Sequence, residues 1–424
     1  MLTHIENKYM TETGPGTPMG DLFRRFWFPA FMSHELPEPD GAPKRVRLLG
    51  EDLVAFRQTD GQVGLVANAC PHRGASMFFG RNEENGLRCV YHGWKFDLDG
   101  SCVDMPNEPA ESNFKHKIRM QSYAARERGG VVWAYMGPAH LMGELPELEW
   151  SFVPDDHLYI GRRLQECNYL QCIDGGIDSS HVSFLHSSAA SHRTGTVDAK
   201  DPMALDKHPH FEIAETDYGL LIGARRITQE GKHYWRMHQF MAPFFQMIPA
   251  QVGGPIAGHV WVPIDDNSTW SWSMTWDPEK PLTAERLESL KSGAGIHAQV
   301  DANNRPFANR ANDYRIDREA QRTTSYTGIF GIGEQDMAVQ ESMGPINNRT
   351  IEHLGSSDTA LIFMRRRLKK LAQDLERGIE PAAAQRHELF RVRSLQLFLE
   401  PGEAWVEACQ EPMVARSPYL PARA

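Results

Sequence analysis

Two cysteine–histidine pairs, Cys70-Pro71-His72 and Cys89-Val90-Tyr91-His92, constrain this 424-residue chain more than any other feature, with only sixteen residues between them. Each pair offers a thiolate and an imidazole, and donors so close in sequence reach one centre only if the backbone turns sharply at both places. The flanking sequence supplies such a frame. Residues 45–49, 53–56 and 95–98 are short β-like runs, with turn signals at Thr59-Asp60-Gly61 and Asp99-Gly100. A further run at 131–136 is stopped by Gly137-Pro138. The expectation is a small antiparallel β domain with its core at about 43–135, closed by a proline-bearing connector at 144–154. Six cysteines in so long a chain make no disulfide scaffold; Cys102, Cys167, Cys172 and Cys409 lack a partner at ligand spacing and read as small buried thiols.

Beyond a boundary near 150 the pattern changes. A helical stretch at 166–186 precedes longer strands at 258–263 and 269–276, joined across Asp265-Asp266-Asn267. Trp270, Trp272, Met274 and Trp276 share one face of the second strand, which reads as the core face of a sheet. Helices are expected near 283–303 and 359–377, and no internal repeat is visible. The division is therefore 1–150 and 151–424, the second part α+β with an antiparallel sheet and helices packed on it.

That second part carries its own constellation, Asp178-Ser179-Ser180-His181-Val182-Ser183-Phe184-Leu185-His186. Asp178 and His181, three apart, share a helical face, whereas His186 is five beyond His181 and falls off it. The helix must end, bend or loosen before both imidazoles reach one ion. This is not the His-Glu-x-x-His pattern of zinc proteases. Two histidines and one carboxylate on one face of an octahedral metal leave positions open for small molecules. The carboxylate is sought in Gly333-Glu334-Gln335-Asp336 and beyond; spacing alone leaves Glu334, Asp336, Glu341 and Asp358 open.

A formal charge of −10 argues against nucleic acid, which needs concentrated positive potential. The one dense basic block, at 365–370, is followed by Asp374 and Glu376 and reads as a solvated helix face. The N-terminus has no charged, apolar and small-residue order of a signal peptide, and the apolar clusters fall far short of the ~20 residues a membrane span needs. A cytoplasmic protein without membrane contact is expected.

Bare, two cysteines and two histidines also suit tetrahedral zinc, although Cys-x-His is tighter than the usual knuckle. With Arg73-Gly74 and Gly93-Trp94 included, the two boxes resemble the Cys-Pro-His-Arg-Gly and Cys-x-Tyr-His-Gly-Trp boxes of Rieske iron–sulfur proteins. Together with the second constellation they resemble the oxygenase (alpha) subunit of Rieske non-haem iron aromatic ring-hydroxylating oxygenases, in the phthalate dioxygenase-like group. Supporting strings are residues 14–20, Gly80-Arg81-Asn82, Met105-Pro106-Asn107 and Arg349-Thr350-Ile351-Glu352-His353. The resemblance implies an N-terminal all-β Rieske domain and a C-terminal helix-grip catalytic domain. Cys70 and Cys89 would hold one iron of a 2Fe-2S cluster and His72 and His92 the other, with Gly74 and Gly93 letting the loop backbones come close to the sulfurs and donate hydrogen bonds. His181, His186 and Asp336 would hold mononuclear Fe(II). An NADH-dependent flavin and iron–sulfur reductase would supply electrons. In a homotrimer, or a hexamer of stacked trimers, electrons would pass from His92 through Asp178 to His181 of a neighbour, making Asp178 a bridge.

The resemblance further implies dioxygen and an aromatic carboxylate, phthalate-like or a substituted benzoate, as substrates for hydroxylation. Oxidative O-demethylation of a methoxylated aromatic acid is the alternative. A Rieske electron carrier without oxygen chemistry is a reading from another class, opposed by the second constellation. Ser179, Lys207, His208 and Arg236 are the candidate substrate contacts, since a carboxylate needs a cation or dense donors. His208 stands where the phthalate-specific pattern has arginine. Arg225 and Arg226 read equally well as surface residues of a strand.

Overall fold

The computed structural model describes residues 2–109, 111–187 and 201–422. The chain divides into two compact units, Thr13–Leu145 and a second assembled from Met1–Glu12 with Pro146–Ala424. Sequence alone assigns residues 1–12 to the first domain, whereas they pack on the second. Helix α1 (His4–Thr11) is held there by Glu6–Lys369 at 2.7 Å, Asn7 Nδ2 to Asn347 O at 3.0 Å, and Tyr169 OH to Met10 O at 2.5 Å. These are polar contacts to distant residues, which no local pattern announces.

The first unit contains β1 (Phe28–Met32), β2 (Lys44–Leu48), β3 (Glu51–Arg57), β4 (Val63–Ala67), β5 (Arg81–Asn82), β6 (Leu87–Arg88), β7 (Lys95–Phe96), β8 (Cys102–Asp104), β9 (Ser122–Arg128) and β10 (Val131–Tyr135). Six of them form an antiparallel sheet ordered β1-β10-β9-β4-β3-β2, and the four shortest form a second sheet in sequence order. The all-β expectation is met. The first cysteine box lies between β4 and β5 and the second between β6 and β7. Cys70 and Cys89 are themselves part of the core, packed with Val54, Phe56, Met77, Leu87, Trp94 and Phe96.

In the second unit the strands are β11 (Leu158–Gln165), β12 (His210–Thr216), β13 (Gly219–Ile227), β14 (His233–Met241), β15 (Phe245–Ile248), β16 (Ile256–Asp265), β17 (Ser268–Trp276) and β18 (Leu395–Leu399). They make one antiparallel sheet ordered β11-β17-β16-β15-β14-β13-β12, with β18 paired to β14. Helix α2 (Tyr169–Ile177) packs on β16 and β17, and helix α4 (Thr359–Glu376) on β12 and β13, with α3 (Ile332–Ser342) beside α2. This is the expected α+β arrangement. The helix expected near 283–303 spans only Ala284–Lys291, because Gly293 takes a φ of +82° and turns the chain.

Cross-strand partners point to the same side of a sheet, so the register sorts its faces. Arg163, Ser271, Ser273, His259, Trp261 and Gln246 share the face covered by α2 with Arg226, Tyr234, Arg236 and His238. The tryptophan row lies on the other face: Trp272 and Trp276 are fully buried, and Arg162 stacks over Trp270 and Trp272 at 4.4 and 5.2 Å. Among the described residues no helix is long and apolar enough to cross a membrane.

Candidate metal centres

The two cysteine boxes fold into near-copies of one loop. Cys70 N–H donates to Ala75 O and Gly74 N–H to Cys70 O, each at 2.8 Å; Cys89 N–H donates to Trp94 O at 2.8 Å and Gly93 N–H to Cys89 O at 2.9 Å. Gly74 and Gly93 adopt φ of +77° and +81°, a region that residues with a Cβ rarely enter. Their amides are thereby turned back onto the cysteine carbonyls, and it is other amides of these loops that approach sulfur. At Cys70 the sulfur instead accepts from the amides of His72 and Arg73; burial nevertheless pushes the free thiol up to about 11.

Both cysteines are buried, while His72 and His92 are only half-buried, with ring centroids 4.4 Å apart. His72 stacks on Trp94 at 4.3 Å, and Trp94 Nε1 donates to Asn107 Oδ1 at 2.7 Å, which gives the Met105-Pro106-Asn107 string its purpose. His72 Nδ1 is buried without a hydrogen-bond partner, an orphaned donor atom beside two buried thiols. A cluster with one cysteine-held and one histidine-held iron fits this set.

The second centre is built where α2 stops. The helix ends at Ile177; Asp178 is extended (ψ 119°), and its carboxylate accepts from the amides of Ser180 at 2.6 Å and His181 at 3.3 Å. A short 3-10 turn, His181–Ser183, follows, so His186 comes round to His181 across a broken helix. Their Nε2 atoms lie 3.2 Å apart, and Asp336 Oδ1 on α3 is 3.2 Å from His186 Nε2 and 3.6 Å from His181 Nε2. One donor atom of each residue lies within 4.8 Å of the others, the one such group among the described residues. Burial pushes the Asp336 carboxyl up, but the two imidazoles more than offset it and hold it below its ordinary range. Three converging donors of the two-histidine, one-carboxylate type fit a mononuclear iron with open positions.

The competing carboxylates are spent elsewhere. Glu341 accepts from Glu166 N at 2.9 Å and Tyr314 OH at 2.5 Å, and Asp358 from Gly355 N at 2.7 Å. Glu334 points toward Gly293 and Gly331, and its burial raises it to about 7. The bridge candidate Asp178 has Oδ2 3.3 Å from His181 Nδ1.

Of the substrate candidates, Arg236 is 8% exposed on the helix-covered face, whereas Lys207 and His208 are exposed and no described contact joins them to Arg236. Ser179 is fully buried and its hydroxyl accepts from Arg226 Nη1 at 3.3 Å, so it anchors a loop. Arg226 is no surface residue. It is fully buried, with Nη2 donating to Ser179 O at 2.6 Å and Ser183 Oγ at 3.3 Å, and Nε to Asp206 O at 3.0 Å. Gly176 is required where α2 meets the sheet: a Cβ there would lie 2.1 Å from Trp261 and 2.4 Å from Gln246. Asp174 fixes the same helix from behind, accepting from Arg349 at 3.0 Å and Arg365 at 2.7 Å, while Arg365 also reaches Glu352 at 2.6 Å. Arg365 therefore leaves the solvated basic block and becomes a buried tie.

Two family models match the chain: a Rieske [2Fe-2S] domain over residues 26–124, and a LigXa C-terminal domain-like model over 134–414, which begins within β10. The chain belongs to the Rieske non-haem iron oxygenases. Within them it is of the phthalate dioxygenase-like group. It is 42% identical to the phthalate 4,5-dioxygenase oxygenase subunit of Pseudomonas putida, over 86% of this chain and 85% of that one. It is 36% identical to the 3-chlorobenzoate-3,4-dioxygenase oxygenase subunit of Comamonas testosteroni, over 96% and 97%. Among solved structures, Pseudomonas putida CBB5 NdmB aligns with a TM-score of 0.61 at 19% identity, over 92% of this chain and 99% of that one, which is a likeness of fold. This Rieske oxygenase carries a 2Fe-2S cluster and a mononuclear iron.

Proposed function

We propose that this oxygenase hydroxylates an aromatic ring bearing a single carboxylate, a substituted benzoate, with Arg236 as the carboxylate anchor. Cys70, His72, Cys89 and His92 hold the cluster, and His181, His186 and Asp336 the iron. The observation that carries the substrate class is the state of Arg236. Its guanidinium is buried on the helix-covered face and pairs with no described carboxylate; Nη1 donates to the Met203 thioether at 2.8 Å, the Tyr234 hydroxyl lies against it, and Nε has no partner. A buried cation so poorly satisfied is costly, and an incoming carboxylate would complete it. The anchor shares its sheet face with His238, which burial first and the Arg236 charge second hold well below its ordinary pKa. Relatives named for phthalate and 3-chlorobenzoate support an aromatic acid.

Iron bound at the second centre supplies dioxygen activation. The protein's part is positional: Arg236 holds the acid end of the ring, and the Asp178 loop aims His181. Electrons come from a separate NADH-linked reductase, and in a trimer Asp178 bridges cluster and iron of neighbouring subunits. The names of the relatives as oxygenase subunits, and the carbazole 1,9a-dioxygenase oxygenase solved with its ferredoxin, support a multicomponent system.

The deciding experiment measures coupled oxygen uptake and product across benzoates, phthalates, methoxybenzoates and benzamides, with a compatible reductase. Hydroxylated benzoates are expected, with benzamides inert. Arg236→Gln should raise KM by roughly 100-fold or more, the loss of a buried charge-assisted pair. Equal turnover of benzamides and an unaltered KM in Arg236→Gln would sink the proposal. A second reading, O-demethylation, is favoured by 31% identity over 90% of this chain to the 5,5'-dehydrodivanillate O-demethylase oxygenase subunit of Sphingobium. Formaldehyde release from methoxybenzoates would establish it.

A further inference from the structure

We infer that Gln335 is a positioning residue that presents His186 to iron as a neutral, Nδ1-protonated ligand and thereby makes the two histidine ligands unequal donors; this rests on the ligand set proposed above. Gln335 precedes Asp336 in the first turn of α3 and is 2% exposed. Its Oε1 lies 2.7 Å from His186 Nδ1, and its Nε2 donates to Ile329 O at 2.8 Å. A carbonyl only accepts, so the carboxamide has one sensible orientation, nitrogen toward Ile329 and oxygen toward His186. The amide oxygen in turn only accepts. His186 must carry its hydrogen on Nδ1, leaving the Nε2 lone pair facing the point where His181 and Asp336 converge.

His181 is partnered differently. Its Nδ1 lies 3.3 Å from the Asp178 carboxylate without hydrogen-bond geometry. An imidazole whose N–H is held by an amide oxygen is fixed in one tautomer and orientation, whereas one beside a carboxylate at longer range is held by charge alone. The two histidines are therefore unequal donors, His186 fixed by a hydrogen bond and His181 by a neighbouring charge. One turn of α3 also supplies both the Asp336 ligand and the residue that aims His186. Two of the three donors are thus fastened to the same helix end.

The test uses the full chain with its cluster, loaded with ferrous iron. Wild type is compared with Gln335→Leu, Gln335→Glu and His186→Ala by iron content, rate of iron extraction by a chelator, and the electron resonance signal of the ferrous centre with nitric oxide. Gln335→Leu should keep the visible absorbance of the cluster and lose mononuclear iron roughly 10–100-fold faster. Gln335→Glu, which keeps the acceptor and adds charge, should restore retention and shift the nitric oxide signal. Wild-type extraction and an unshifted signal in Gln335→Leu would overturn the inference. Should Gln335→Leu not fold, an unshifted signal in Gln335→Glu overturns it alone. Iron held normally by His186→Ala would instead remove the ligand set itself, whereas loss of iron there with normal retention in Gln335→Leu removes only the role of Gln335.

Discussion

Asp178 carries three duties with one carboxylate: it ends α2, accepts the amides of Ser180 and His181, and faces His181 Nδ1. Burial pushes its pKa up, but the His181 imidazole and the two amides outweigh that and leave it below its ordinary range. It therefore gives up its proton more readily than an ordinary aspartate. Asp178→Asn preserves size and an acceptor oxygen while removing the charge. Cluster absorbance and iron content should stay at wild-type levels and turnover should fall by roughly 10–100-fold or more; normal turnover would refute the bridge. The pairing of Asp178 with His181 was visible as a three-residue spacing, but the physical reason differs from the one the spacing suggests. They do not meet on a helical face. They meet because the helix has ended and an Asx turn folds the side chain back on its own loop.

At the scale of elements, the loop proposed to hold iron is clamped by a strand. Arg226 on β13 binds Ser179 and Ser183 on either side of His181, and through Asp206 O it holds the segment that supplies Met203 to Arg236. Its guanidinium is buried beside Arg236 without an ion pair to any described carboxylate; burial first, and Arg236 second, lower it to about 10, so it stays charged. Arg226→Met would strand several buried acceptors at about 1–3 kcal/mol each, partly offset by losing an expensive buried cation. The expected result is a chain with its cluster absorbance intact, less mononuclear iron, and a catalytic unit about 3 kcal/mol less stable to urea. Full iron and an unchanged urea midpoint would show the clamp to be idle. None of this was legible in advance. A charged residue on a strand can face either side, and only register against its neighbours decides which; Gln335 is legible as the first residue of the Gln-Asp string that carries the resemblance, but being neutral it signals no role of its own. The cysteine boxes were legible because their ligation is local and their glycines mark the turns. Asp336 needed the resemblance, since α3 delivers it from far along the chain.

Across the catalytic unit as a whole, the face beneath the proposed iron site also buries His238, His259 and His297, all with depressed pKa values caused first by burial and then by neighbouring cations or histidines. His259 is lowered to about 4 from an ordinary 6.5, with Nδ1 3.1 Å from Ser273 Oγ and 3.3 Å from Trp272 O. A base whose pKa is depressed by folding binds its proton more readily when unfolded. Its contribution to stability is therefore complete above pH 6.5 and is lost as pH falls toward 4. For His259 alone the loss between pH 7 and pH 5 is about 2 kcal/mol, at 1.36 kcal/mol per unit. The informative quantity is a difference between two proteins that share every other titrating group. His259→Asn keeps a polar group near the Nδ1 position and cannot be protonated. Its urea midpoint, followed by tryptophan fluorescence of the metal-stripped chain, should fall less between pH 7 and pH 5 than that of wild type, by the equivalent of about 2 kcal/mol. Parallel pH dependence in the two proteins would mean that His259 is protonated in the native fold, and that the sheet face under the iron is wetter and less apolar than its burial implies.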